Sequence, residues 1–106
     1  MKKLFVSLPM RDLTEAEILS NMHKAKEHLE HIMNEEFLLI DTFIREDRPS
    51  DVPEDKTGIW CLGKSIEMMA TADFVIFAPG WKNARGCRVE HETAIGYELP
   101  IYEMDW

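Results

Sequence analysis

The sequence predicts an α/β fold, a small parallel sheet of four strands with helices on both faces. Two observations carry this. Short apolar runs of strand length recur at Leu4-Phe5-Val6-Ser7-Leu8, Phe37-Leu38-Leu39-Ile40, Phe74-Val75-Ile76-Phe77-Ala78 and Leu99-Pro100-Ile101-Tyr102. Segments of helical periodicity separate them, giving the order βαβ(loop)αβαβ. With 106 residues the chain is long enough for one domain, residues 1–106, and no more.

Each element has its own signal. The first apolar run is stopped by Pro9 and reads as a buried strand. Thr14 stands three residues before Glu17, a capping box. Behind it Ile18, Met22, Ala25, Leu29 and Ile32 recur at helical spacing, with Lys, Glu, His and Asn opposite. This predicts an amphipathic helix of about five turns. The second strand starts at Phe37 and ends near Asp41-Thr42-Phe43. From Arg45 to Thr57 the chain is polar and carries Pro49 and Pro53, which reads as a partial lid or as plain flexible surface. A second helix is expected from about Trp60 to Ala70, with Leu62, Ile66 and Met69 on one face. A third is expected from about Ala84 to Tyr97. Four strands in this order make a minimal three-layer, flavodoxin-like (Rossmann-like) sandwich.

Composition narrows the function classes. The formal net charge is −8, which argues against a nucleic-acid polymer or an anionic membrane surface as the main partner. A few local arginines can still hold one phosphate. No apolar stretch reaches membrane-spanning length, and Met1-Lys2-Lys3 leads straight into a strand. Two cysteines, Cys61 and Cys87, make no disulfide framework and read as reduced thiols of a cytoplasmic protein. Cys87 and His91 stand four apart on one helix face, but no second ligand pair of matching spacing exists, so neither a metal nor a cofactor is expected.

In a parallel sheet, ligands gather where strands end and helix N-termini point at anions. That edge collects the end of strand one (Ser7 to Asp12), the end of strand two (Asp41 to Phe43) and the turn after strand three (Pro79 to Glu90). The turn is the densest part: Gly80, Trp81, Asn83, Arg85, Gly86 and Arg88 precede Glu90. Glu90 is the leading catalytic candidate. A helix N-terminus favours an ionised carboxylate, which can act as a nucleophile in glycosyl transfer. Taken alone it also reads as a solvent-facing residue of a good helix. Arg11, Arg85 and Arg88 can bind phosphate or carboxylate bidentately, or simply soften an acidic surface. Gly80 and Gly86 permit close backbone approach or only make the turn. Trp60 and Trp81 suit stacking on a base or packing. Asp41 and Asp12 are the candidates for a second acid, with a cap or turn role as the alternative. Asp73 starts strand three, at the opposite edge.

Several of these stretches together carry a resemblance. Ser7-Leu8-Pro9-Met10-Arg11, Leu62-Gly63-Lys64-Ser65, Ala72-Asp73 and the run from Gly80 to His91 resemble a family of short bacterial and phage proteins. That family is similar in turn to the nucleoside 2-deoxyribosyltransferases and the nucleoside-monophosphate N-glycosidases. The first likeness covers nearly the whole chain; the second rests on strand order and a few positions. It implies a glutamate nucleophile that attacks C1′ and expels the base, with a glycine four residues earlier shaping the pocket. Glu90 and Gly86 match that spacing. It implies a nucleoside or nucleotide as substrate, with phosphate held by the loop after strand one, where Ser7, Pro9, Met10 and Arg11 fall. It also implies a homodimer or larger homo-oligomer, for which the tail Tyr102-Glu103-Met104-Asp105-Trp106 is a candidate interface. Three positions depart from the hydrolases. Phe5 stands for a tyrosine, Leu8-Pro9 for Gly-Ser, and Ser65 for an aspartate on the helix before strand three. The expected activity is therefore N-glycosidic cleavage or transfer, and the alternatives are a non-catalytic nucleotide-binding module or a phage or host interaction protein.

Overall fold

The computed structural model describes residues 1–104. Four strands, β1 (Lys2–Ser7), β2 (Phe37–Leu39), β3 (Phe74–Phe77) and β4 (Ile101–Glu103), form one sheet in the order β2-β1-β3-β4. All three neighbouring pairs are parallel. Three helices connect them: α1 (Glu15–Met33), α2 (Thr57–Met69) and α3 (Arg85–Gly96). The predicted three-layer α/β sandwich is the observed one.

The alternation of β1 divides the core. Leu4 and Val6 point to the α1 side, where they meet Ile18, Met22, Ala25 and Leu29. Phe5 points the other way and packs with Val75, Phe77, Trp81, Cys87 and Met69. The period of two along a strand makes Ser7 follow Phe5 onto that second face. No helix among the described residues is long and apolar enough to cross a membrane.

Helix α1 begins as its capping box requires. Thr14 Oγ1 accepts from the Glu17 amide at 3.1 Å, and Glu17 Oε1 accepts from the Thr14 amide at 2.9 Å. It ends at Asn34 in the left-handed conformation, φ 51°. Glu30 Oε2 then accepts from the Phe37 amide at 2.8 Å, tying the helix to the start of β2.

The larger differences from the expected boundaries include those in β2, α2 and β4. β2 stops at Leu39, because Asp41 Oδ1 accepts from the Phe43 amide at 3.0 Å and turns the chain. α2 starts at Thr57 rather than Trp60, because a 3-10 turn, Glu54–Lys56, follows Pro53 and feeds straight into it. β4 starts at Ile101, though the Pro100 carbonyl already accepts from the Val75 amide at 3.0 Å. The polar loop from Arg45 is moored at both neighbours. Arg45 pairs with Glu15 at 2.5 Å and Asp41 at 3.2 Å, and Glu46 pairs with Lys64 of α2 at 3.1 Å.

Candidate functional site

The strand order creates a switch point. The chain leaves β1 towards β2 through α1 on one face, and leaves β3 towards β4 through α3 on the other. In such sheets the usual ligand position is outside the carboxyl ends of the strands at the switch point, here β1 and β3. Ser7 ends β1 in register with Phe77 of β3. Its hydroxyl faces α3 and donates to Glu90 Oε1 at 2.6 Å, a buried contact.

Glu90 is 7% exposed and lies in the second turn of α3, so it is not the solvent-facing residue of the alternative reading. Burial pushes its carboxyl up from 4.5 to about 7, and hydrogen bonds from the Ser7 and Ser65 hydroxyls pull the other way. This corrects the expectation that the helix N-terminus holds Glu90 ionised. The dipole acts within the first turn. One turn further in, desolvation of the charged form outweighs it.

Cys87, one turn before Glu90, is buried and its thiol lies against the same Ser7 hydroxyl. Burial lifts that thiol to about 11, so it stays protonated and inert as a nucleophile at neutral pH. His91 turns elsewhere. It stacks on Trp81 at 4.3 Å between ring centres, meets Phe77 edge-on at 4.9 Å, and places Nε2 2.5 Å from Glu103 Oε2. Among the described residues no group of three or more His, Cys, Asp and Glu side chains is placed to hold a metal ion.

Several predicted site residues are not at this centre. Asp41, expected as a second acid, is exposed and engaged by the Phe43 amide and Arg45. It is a turn residue, the alternative that its sequence left open. Trp81, expected against substrate, is 6% exposed and closed in by Phe77 and His91, so its ring packs instead of standing open. Arg88 donates from Nη1 to the Lys82 carbonyl at 3.0 Å, clasping the 3-10 turn Trp81–Asn83. Asn83 is exposed within that turn, its amide donating to the Gly80 carbonyl at 3.1 Å. Gly80 has φ 91°, a conformation that requires glycine there. Arg11 is exposed after β1, beside Asp12 at φ 65°. Asp73 sits at the opposite edge, where Oδ2 accepts from the Lys3 amide at 2.8 Å.

Pro9 lines a cavity of about 420 Å³ on the α1 side, with Leu8, Leu13, Asn21, Lys24, Ala78, Pro79 and Met104 among its walls. Glu90 is not one of them. Met10 is half-buried against the same core. Of the interface candidates, Tyr102 and Met104 pack against the α1-side core, while Asp105 and Trp106 lie outside the described residues.

Two further predicted site residues belong to the first turn of α3. Arg85 opens α3, and its Nη2 would stand 3.6 Å from a Cβ placed on Gly58, so the guanidinium lies across the first turn of α2. A Cβ placed on Gly86 would meet nothing within 4 Å. The space beside Gly86 is therefore open, and packing within the chain does not demand a glycine.

Ser65 is the site residue that sequence reasoning undervalued. It entered only as a departure from an aspartate, yet its hydroxyl bonds the Glu90 carboxyl. The available signal was its place on α2. It shares a face with Leu62, Ile66 and Met69, and a hydroxyl on an apolar face needs a buried partner. No family model, no curated protein and no solved structure matches the chain, so the reading of this site rests on its geometry and on the sequence resemblance.

Proposed function

We propose that the protein cleaves the N-glycosidic bond of a nucleoside or nucleoside 5′-monophosphate, with Glu90 as nucleophile. The observation that carries this is the buried Ser7–Glu90 pair at the β1/β3 switch point. A carboxyl with a value of about 7 is partly ionised at neutral pH and keeps high basicity. Ser7 bonds Oε1 and the Ser65 hydroxyl engages the same carboxyl, so attack on C1′ requires that one of these serine bonds give way. Attack forms a glycosyl ester and expels the base with the C1′–N electron pair. Water then releases the sugar, or a second base accepts it. Arg85, whose guanidinium lies at the first turn of α2, is the candidate to hold a 5′-phosphate. The resemblance extends the reading to a homo-oligomer, and the free thiols of Cys61 and Cys87 extend it to a cytoplasmic protein.

The test is base release, followed by chromatography, from a panel of nucleosides and their 5′-monophosphates. Release is expected from the native protein and its loss, by at least 10³-fold, from Glu90→Gln. Undiminished release in that variant rejects the assignment.

A second reading has its own observation. The position of the hydrolases' aspartate holds Ser65, and Asp41 is engaged elsewhere. A nucleotide-binding module without turnover would show ligand-dependent thermal stabilisation and no free base.

A further inference from the structure

Among the described residues, the side chains bonded to the Glu90 carboxyl are hydroxyls, which do not give up protons at neutral pH. Ser7 and Ser65 present hydroxyls, and Cys87 presents a thiol lifted to about 11. His91, next along α3, is stacked on Trp81 with Nε2 on Glu103. Arg88 is held by the Lys82 carbonyl, and Asp41 by Arg45. This matters for the leaving group. A neutral base must be protonated as it departs or leave as an anion. A general acid in that role contributes roughly 10²–10⁴-fold. A base whose ring already carries a positive charge needs no such help.

We propose that the site acts on nucleosides or nucleotides whose base is a fixed cation, a pyridinium or an N7-alkylated purine. The proposal rests on the N-glycosidase reading above. In the first step a Glu90 oxygen bonds to C1′ as the C1′–N bond breaks. The electron pair of that bond cancels the ring's positive charge, the base leaves neutral, and no proton moves. In the second step water adds at C1′, the ester bond breaks with its pair returning to Glu90, and the proton of water passes to solvent.

Two further features fit a cationic substrate. A positive ring beside a buried carboxyl favours its ionised form, so binding itself generates the nucleophile. The chain's net charge of −8 raises the local concentration of cations.

The experiment pairs charged with neutral bases. Nicotinamide riboside and 7-methylguanosine are compared with guanosine and cytidine, each also as the 2′-deoxy form and the 5′-monophosphate. Free base is measured by chromatography after subtraction of enzyme-free controls. Glu90→Gln is run in parallel, with circular dichroism to show that it is folded. The expected result is kcat/KM at least about 100-fold higher for the cationic bases, lost in Glu90→Gln. Comparable rates on neutral bases, also lost in Glu90→Gln, overturn the charged-base proposal and leave the glycosidase reading standing. No release from any compound by the folded protein overturns both.

Discussion

The Ser7 hydroxyl donates to Glu90 Oε1 across 2.6 Å and so joins the end of β1 to the second turn of α3. The bond favours the ionised carboxyl, against burial. Ser7→Ala therefore raises Glu90 above its value of about 7, and the acid limb of a kcat–pH profile moves to higher pH. The ionised carboxylate also loses a buried donor, which costs about 1–3 kcal/mol. Urea unfolding at pH 8 should show that loss, and at pH 5, where Glu90 is protonated, a smaller one. An unmoved limb would mean that Ser7 only fills space.

Glu90 also makes stability depend on pH, with a definite sign. Its folded value, about 7, lies above the 4.5 of an ordinary glutamate. The folded state therefore binds the proton more tightly. That contribution is fully present below pH 4.5 and is lost as pH rises through about 7. Glu90→Gln keeps an acceptor for Ser7 and cannot ionise. Relative to the native chain it should be level near pH 4.5 and more stable at pH 8, by roughly 3 kcal/mol at 1.36 kcal/mol per unit. Denaturant titrations of both proteins at the two pH values check this. A variant less stable at pH 8 would show that ionised Glu90 is not a burden on the fold.

Both effects trace to burial, which the sequence shows unevenly. The capping box at Thr14 and Glu17 and the spacing of Ile18, Met22, Ala25 and Leu29 are local patterns, and α1 follows them. The alternation of β1 sends Ser7 to the α3 face. The position of Glu90 after β3 places it near the switch point. What was not legible is which polar side chains close on it. Asp41 lies near the same edge as Ser7, yet a two-residue turn and Arg45 claim its carboxylate. Trp81 follows β3 as a stacking residue would, yet His91, a turn and a half along α3, covers its ring. Ser65 is distant in sequence and reaches Glu90 only because α2 and α3 share one face of the sheet. These are tertiary outcomes that no local spacing encodes.

The two glycines of the turn should separate fold from ligand. At Gly80, with φ 91°, Gly80→Ala costs about 1–2 kcal/mol of stability. At Gly86, within the first turn of α3, an added methyl meets nothing within 4 Å. Gly86→Ala is expected to stabilise the chain by about 0.5–1 kcal/mol through helix propensity. The same methyl occupies the open space beside the site, so substrate KM should rise about tenfold or more while Tm rises by a few degrees. An unchanged KM would place the substrate away from Gly86.

Ser65 offers the sharpest change of chemistry. Its hydroxyl bonds Glu90 but supplies no proton. Ser65→Asp brings a second carboxyl to that position. Two adjacent carboxyls cannot both ionise easily, so one keeps a proton while the other stays charged. The protonated member can then serve a departing neutral base, within a general-acid range of roughly 10²–10⁴-fold. Turnover of guanosine and cytidine should rise at least tenfold in Ser65→Asp, while that of 7-methylguanosine stays level or falls. Tm should drop above neutral pH, as the second ionisation is forced on the pair. If the folded variant still cleaves 7-methylguanosine and gains nothing on the neutral nucleosides, a missing acid is not what limits this site. The choice of Ser65 would then belong to the packing of α2 against α3.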